Sequence, residues 1–222
     1  MRDQLREVRR LGWCHSAITP VGNDQYGACG SINERRVAEF VRIAPDVTSF
    51  VIKPVVLPWV DEEGVCRKYS PDAEIVLAAS EEALIEFKTK GALLRNPALK
   101  TKYEAIGRHL QRQGKKRFGL LEWQWDGHFE RNAAMLTRYW NVDPETHAID
   151  AFAAVGRDQV ALDELFASVD RDFWPAVWAA VAKQHLVSDW HAGPVTRRTM
   201  VSLPGVVRDP VTLVSLISEW WA

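Results

Sequence analysis

The chain has 222 residues, 47% of them apolar, which is enough for a sizeable core and one or two domains. Its 28 basic and 29 acidic residues leave a formal charge of -1, so bulk charge does not draw it indiscriminately onto nucleic acid. No run of about 18 uncharged apolar residues occurs, which argues against a membrane span, and the three scattered cysteines, Cys14, Cys29 and Cys66, suit reduced thiols better than a disulfide frame or zinc ribbon.

Residues 1–30 read as an amino-terminal arm, charged throughout Met1 to Arg10 without a signal-peptide core and turn-rich at Gly22, Gly27 and Gly30. A helix is predicted over 31–44, with Val37, Phe40, Val41 and Ala44 along one side. Strands are predicted over 47–58, 69–77 and 83–87, the last two joined as an antiparallel hairpin through Ala78-Ala79-Ser80-Glu81-Glu82. Asn96-Pro97 opens a helix that ends near Gly114; a strand over 118–123 and a helix over 129–140 complete a region spanning 31–140.

Asn141-Val142-Asp143-Pro144 reads as a linker to a carboxy-terminal region, 145–222. There the pattern is helical over 158–168 and 172–184. Two apolar runs, 186–190 and 195–203, then form a hairpin around His191-Ala192-Gly193-Pro194, with Arg197 and Arg198 on its second strand. Trp174 and Trp178 suit core positions better than a base-stacking platform. The alternation of helices and strands over 31–140 indicates an α/β arrangement with one sheet between helical layers and acidic residues at strand ends.

The chemistry concentrates in Arg67-Lys68-Tyr69-Ser70-Pro71-Asp72 and Glu86-Phe87-Lys88. Alternate strand residues share a face, so Glu86 and Lys88 project together while Ile85 and Phe87 point to the opposite layer. In a hairpin, Asp72 meets them at one sheet end. Such oxygen ligands suit magnesium or manganese. A neighbouring lysine can orient or deprotonate a water and offset charge on a scissile phosphate. Two plainer readings stand beside this one: strands carry Glu and Lys on solvent faces for solubility, and Pro-Asp is a turn signal. Here Pro71-Asp72 instead enters the apolar run Ile75-Val76-Leu77.

From Lys88 onward the chain is one-sidedly basic, through Lys90, Arg95, Lys100, Lys102, Arg108, Arg112, Lys115, Lys116 and Arg117, against the single acid Glu104. These are candidate DNA-backbone contacts, or else a solvated helix face. The six histidines lack metal-ligand spacing, and neither a nucleophile elbow nor a phosphate-binding glycine loop occurs.

The ordered series Ser31-x-x-Glu34, Pro45-Asp46-Val47, Lys53-Pro54, Arg67-x-Tyr69-x-Pro71-Asp72, Glu86-x-Lys88, Glu104, and Asn132 with Leu136 and Tyr139 covers most of the chain. It resembles the PD-(D/E)xK nuclease superfamily and, within it, the TnsA endonuclease family, transposon subunits that nick DNA at transposon ends. Lys53 departs from the Gln that such sequences often carry before the proline.

The resemblance implies a restriction-endonuclease-like mixed sheet flanked by helices, with a winged-helix-like domain over 145–222. It implies Asp72 and Glu86 as ligands of Mg2+ (or Mn2+), the Phe87 carbonyl as a further oxygen, Lys88 serving the attacking water, and Glu34 as an added acidic catalytic group. Ser31-x-x-Glu34 also reads as a capping box, and Glu104 as a solvated helix position. Double-stranded DNA, a TnsB-like transposase and a TnsC-like AAA+ regulator would be partners, in bacterial cytoplasm at the nucleoid. Two other functions remain open, a related nuclease of defence or repair and a non-catalytic winged-helix regulator.

Overall fold

The computed structural model describes residues 17–20, 26–29, 31–52, 55–61, 63–114, 116–123 and 127–221. Lys53, Pro54 and Lys115 lie outside the described residues, as does most of the arm. In chain order the elements begin with β1 (Ala17–Pro20) and β2 (Tyr26–Cys29), paired antiparallel. They continue with α1 (Ile32–Ile43), β3 (Val47–Ile52), β4 (Leu57–Val60), β5 (Cys66–Tyr69), β6 (Ala73–Leu77) and β7 (Glu82–Thr89). Next come α2 (Lys90–Arg95), α3 (Ala98–Arg112), β8 (Arg117–Trp123) and α4 (Gly127–Leu136). The remainder comprises α5 (Glu145–Val155), β9 (Val160–Ala161), α6 (Leu162–Ser168), α7 (Trp174–Ala182), β10 (Met200–Val201), α8 (Leu213–Leu216) and β11 (Glu219–Trp221).

Contacts divide the chain into two compact units. The first takes the described parts of Met1–Val41, Asp46–Gln124 and Leu213–Ala222; the second takes Arg42–Pro45 and Trp125–Thr212. The break therefore falls earlier than the expected linker at 141–144, and the carboxy terminus returns to the first unit.

In the first unit a five-stranded mixed sheet runs in the order β11-β8-β7-β6-β3. β7 pairs antiparallel with β6 and parallel with β8. Its Ala83, Leu84, Ile85, Glu86 and Phe87 are all buried, as a central strand covered on both faces requires. The predicted strand over 69–77 divides at Ser70-Pro71, where Pro71 has no N–H to give a ladder. The piece before the break, β5, instead pairs with β4 in a separate hairpin.

Helix α3 buries Tyr103, Ile106, Gly107 and Leu110, the i, i+3, i+4, i+7 stripe of an amphipathic helix. Tyr103, Ile106 and Leu110 pack with Trp59, Tyr69, Leu84, Leu93, Phe118 and Leu120. The Asn96 carbonyl accepts from Leu99 N at 3.1 Å where this helix begins. The unexpected strand β11 stacks Trp221 on Phe118, with ring centroids 5.5 Å apart. Gly107 admits it: a Cβ there would lie 2.5 Å from Trp221 Cβ. Asp46 serves the same return, its carboxylate accepting from Leu213 N at 2.8 Å and Val214 N at 2.9 Å.

The second unit centres on α7, which is buried at Ala176, Val177 and throughout Ala179–Ala182. Helix α5, unforeseen from the sequence, ends at Gly156 with φ +66°, a left-handed cap glycine takes without strain. The predicted helix over 158–168 gives its first residues to β9, which pairs antiparallel with β10. The expected 186–190/195–203 hairpin reduces to one antiparallel bridge, Val187 to Ser202, and Arg197 and Arg198 sit in a turn before β10. Trp174 and Trp178 pack on Phe166 at 5.3 and 5.2 Å but are only half-buried, at the edge of the core rather than inside it. Asn132 donates to the carbonyls of Trp190 and Gly193 and accepts from Val195 N, pinning the intervening turn. No helix among the described residues is long and apolar enough to cross a membrane.

Candidate active site

The β6–β7 register pairs Ala73 with Ile85, so Asp72, one residue before β6, falls opposite Glu86 and Phe87. Its Oδ2 accepts the Phe87 N–H at 2.9 Å. Lys88 then brings its ammonium back along β7: Nζ lies 2.5 Å from Glu86 Oε1, 3.0 Å from the Phe87 carbonyl oxygen and 3.6 Å from Asp72 Oδ2. Two carboxylates, one carbonyl and one ammonium thus converge at the end of adjacent strands.

Glu86 is only 4% exposed, and both its oxygens are hydrogen bonded. Tyr69 donates to Oε2 at 2.5 Å and Tyr103 to Oε1 at 2.8 Å. Burial first, then the Glu86 charge, pushes both phenols above their ordinary value, so they remain donors.

Asp72 is moved from 3.8 to about 7, chiefly by burial and next by the Glu86 charge, with Lys88 and the Phe87 N–H opposing and Glu34 adding to the rise. For Lys88, burial works to lower the pKa, but the charges of Asp72 and Glu86 outweigh it and hold the ammonium above its ordinary value. In this geometry Lys88 is a donor rather than a base.

Glu34 borders the same place. With Ser31, Asn33, Phe87, Lys88, Thr89 and Ala92 it lines a cleft of about 170 Å³. Ser31 Oγ accepts the Glu34 N–H at 3.1 Å and its hydroxyl meets Glu34 Oε1 at 3.4 Å. The helix-start geometry and the place beside the cleft therefore coexist. Glu104 stands apart, 48% exposed and 3.5 Å from Arg108.

The basic run is less one-sided in space than in sequence. Lys100 reaches Glu122 and Glu219, Arg108 reaches Glu104, Lys116 reaches Glu74 and Glu82, and Arg117 reaches Glu81. Lys90, Arg95, Lys102 and Arg112 are exposed. Lys102 lies 5.6 and 5.5 Å from the ring centroids of Tyr69 and Tyr103. Lys115 is outside the described residues.

Neither protein-family models nor curated proteins match the chain.

Among the described residues no group of three or more His, Cys, Asp or Glu is placed to hold a metal. The smaller set of Asp72, Glu86 and the Phe87 carbonyl nevertheless fits a hard cation in kind. All three present oxygen, and they already surround one positive charge, the Lys88 ammonium. The structure brings together Asp72, Glu86 and Lys88, the residues singled out in the sequence, and adds two phenols to which the sequence assigned no role. The available signal was Tyr103 on the apolar stripe of α3, and Tyr69 three residues before Asp72.

Proposed function

We propose that the first unit is a metal-dependent DNA endonuclease site of the PD-(D/E)xK kind, acting as a TnsA-like subunit that nicks one strand at transposon ends. The supporting observation is the convergence of Asp72, Glu86 and the Phe87 carbonyl on Lys88 Nζ within 3.6 Å. Asp72, Glu86 and the Phe87 carbonyl would hold Mg2+ or Mn2+, with Glu34 beside the cleft. The bound ion would supply Lewis-acid polarisation of a phosphoryl oxygen and a more acidic water.

This chain's residues do the rest. Lys88, kept as an ammonium by two carboxylates, donates to a non-bridging phosphate oxygen or to the attacking water and offsets developing negative charge. Asp72, raised to about 7 in the metal-free chain, gives up its proton when it takes the ion. The exposed Lys90, Arg95, Lys102 and Arg112 offer charge for the flanking backbone.

In the second unit, the order α5, β9, α6, α7, β10 with β9 antiparallel to β10 supports a winged-helix-like reading. A TnsB-like transposase and a TnsC-like regulator would be its partners by the resemblance, in bacterial cytoplasm. One observation favours a non-catalytic DNA-binding regulator instead: the Lys88 ammonium already compensates both carboxylates where a metal would sit. Nicking of supercoiled plasmid in Mg2+ or Mn2+, with the partner proteins supplied, separates the two. The nuclease reading expects nicking that is lost in folded Asp72→Ala and Lys88→Ala; nicking retained in both would reject the site.

A further inference from the structure

We infer that Tyr69 and Tyr103 are positioning residues that aim the Glu86 carboxylate at the bound cation, an inference that rests on the nuclease reading. Each phenol takes a different oxygen, Tyr69 Oε2 at 2.5 Å and Tyr103 Oε1 at 2.8 Å. Rotation of the carboxylate about its terminal bond breaks both bonds together. The donors come from separate elements, β5 and α3, so the clamp ties the hairpin and the helix to one side chain of the central strand.

The rings have little freedom to follow a turning carboxylate. Tyr69 is 6% exposed and Tyr103 2%. Phe118 meets Tyr69 edge-on at 5.9 Å and Tyr103 at 6.4 Å, while the two phenols lie 6.4 Å apart.

Cations strengthen the arrangement. Lys102 Nζ lies over both rings, at 5.6 Å from Tyr69 and 5.5 Å from Tyr103, and Lys88 Nζ is 5.7 Å from Tyr103. Positive charge on the ring face makes each hydroxyl a better donor to the carboxylate. Outer partners of this type fix the direction in which a ligand offers its lone pair, so losing one weakens metal binding without removing a ligand.

The test is Mn2+ calorimetry on the full chain with Tyr69→Phe, Tyr103→Phe and the double variant, each checked for cooperative unfolding. Either single variant should bind Mn2+ about 10-fold more weakly. Plasmid nicking should then need correspondingly more Mn2+ while kcat recovers at saturation, a split that mere loosening of the core does not produce. If the double variant does not fold, the singles decide. Folded Phe variants with wild-type Mn2+ affinity would overturn the clamp alone. A wild-type chain that takes up no Mn2+ would overturn the nuclease reading and the clamp with it.

Discussion

Lys88 Nζ stands 2.5 Å from Glu86 Oε1, two residues back on the same strand face, with Asp72 Oδ2 3.6 Å away across the hairpin. The lysine compensates two buried carboxylates, and this mutual dependence gives the first prediction. Removing one partner leaves charge uncompensated at a buried place, so Lys88→Ala should destabilise the metal-free chain by about 3 kcal/mol. Divalent ions should restore part of that loss. Urea denaturation with and without Mn2+ measures both; an unchanged midpoint without metal contradicts the account.

Asp72 gives a pH dependence. Its folded pKa of about 7 lies above the ordinary 3.8, so between those values the folded state binds more protons than the unfolded one. This group's contribution therefore falls as pH rises from about 4 through about 7, by at most about 1.4 kcal/mol per pH unit. Metal binding has the opposite slope, because the proton must leave: Mn2+ affinity should rise towards pH 7 and level off above it. Asp72→Asn should remove the stability slope. Parallel pH curves for wild type and variant would refute the assignment.

Gly107 tests the docking of β11. Helix propensity alone favours Ala over Gly by about 1 kcal/mol. A Cβ at 107 would stand 2.5 Å from Trp221 Cβ, so the strand must shift. Overpacking of this kind costs about 1–3 kcal/mol, and Gly107→Ala should be net destabilising in thermal unfolding. A stabilised variant would mean that Trp221 is not seated there.

Asn132 is a structural tie in the second unit. Its amide serves the carbonyls of Trp190 and Gly193 and the N–H of Val195. Asn132→Ala leaves buried backbone groups without partners and should cost about 2 kcal/mol or more in chemical denaturation. A negligible loss would contradict the pinned turn.

The basic run separates into two groups. Lys90, Arg95 and Arg112 are exposed, whereas Lys100 and Lys116 each face two carboxylates. Neutralising one of the first three should lower the salt slope of DNA binding by up to about 0.9 per contact. Lys100→Ala or Lys116→Ala should change it less. The reverse order, measured by anisotropy over a salt series, would reject this division.

Much of the first unit was legible because its signals are local. The Ala78-to-Glu82 loop set the β6–β7 hairpin, and the hairpin register carried Asp72 to Glu86. Asn96-Pro97 and the apolar stripe marked α3. Strand β11 was not legible: only a partner far away in sequence, β8, makes Glu219–Trp221 a strand. The Tyr clamp was hidden for the same reason, since a tyrosine on an apolar stripe reads as core until its hydroxyl finds an acceptor. Helix α5 has boundary signals, Pro144 before it and Gly156 after it, but Asn141-Val142-Asp143-Pro144 equally signals a linker. The 186–203 hairpin does not form because turns at 190–192 and 197–198 interrupt it, leaving one bridge, and β10 pairs with β9 instead.

The most direct measurement is the anomalous signal from a crystal soaked in Mn2+. The account predicts an ion within bonding distance of Asp72 and Glu86, with the Lys88 ammonium displaced from between their oxygens. An ion bound elsewhere, or these carboxylates still holding Lys88 after adequate soaking, contradicts it.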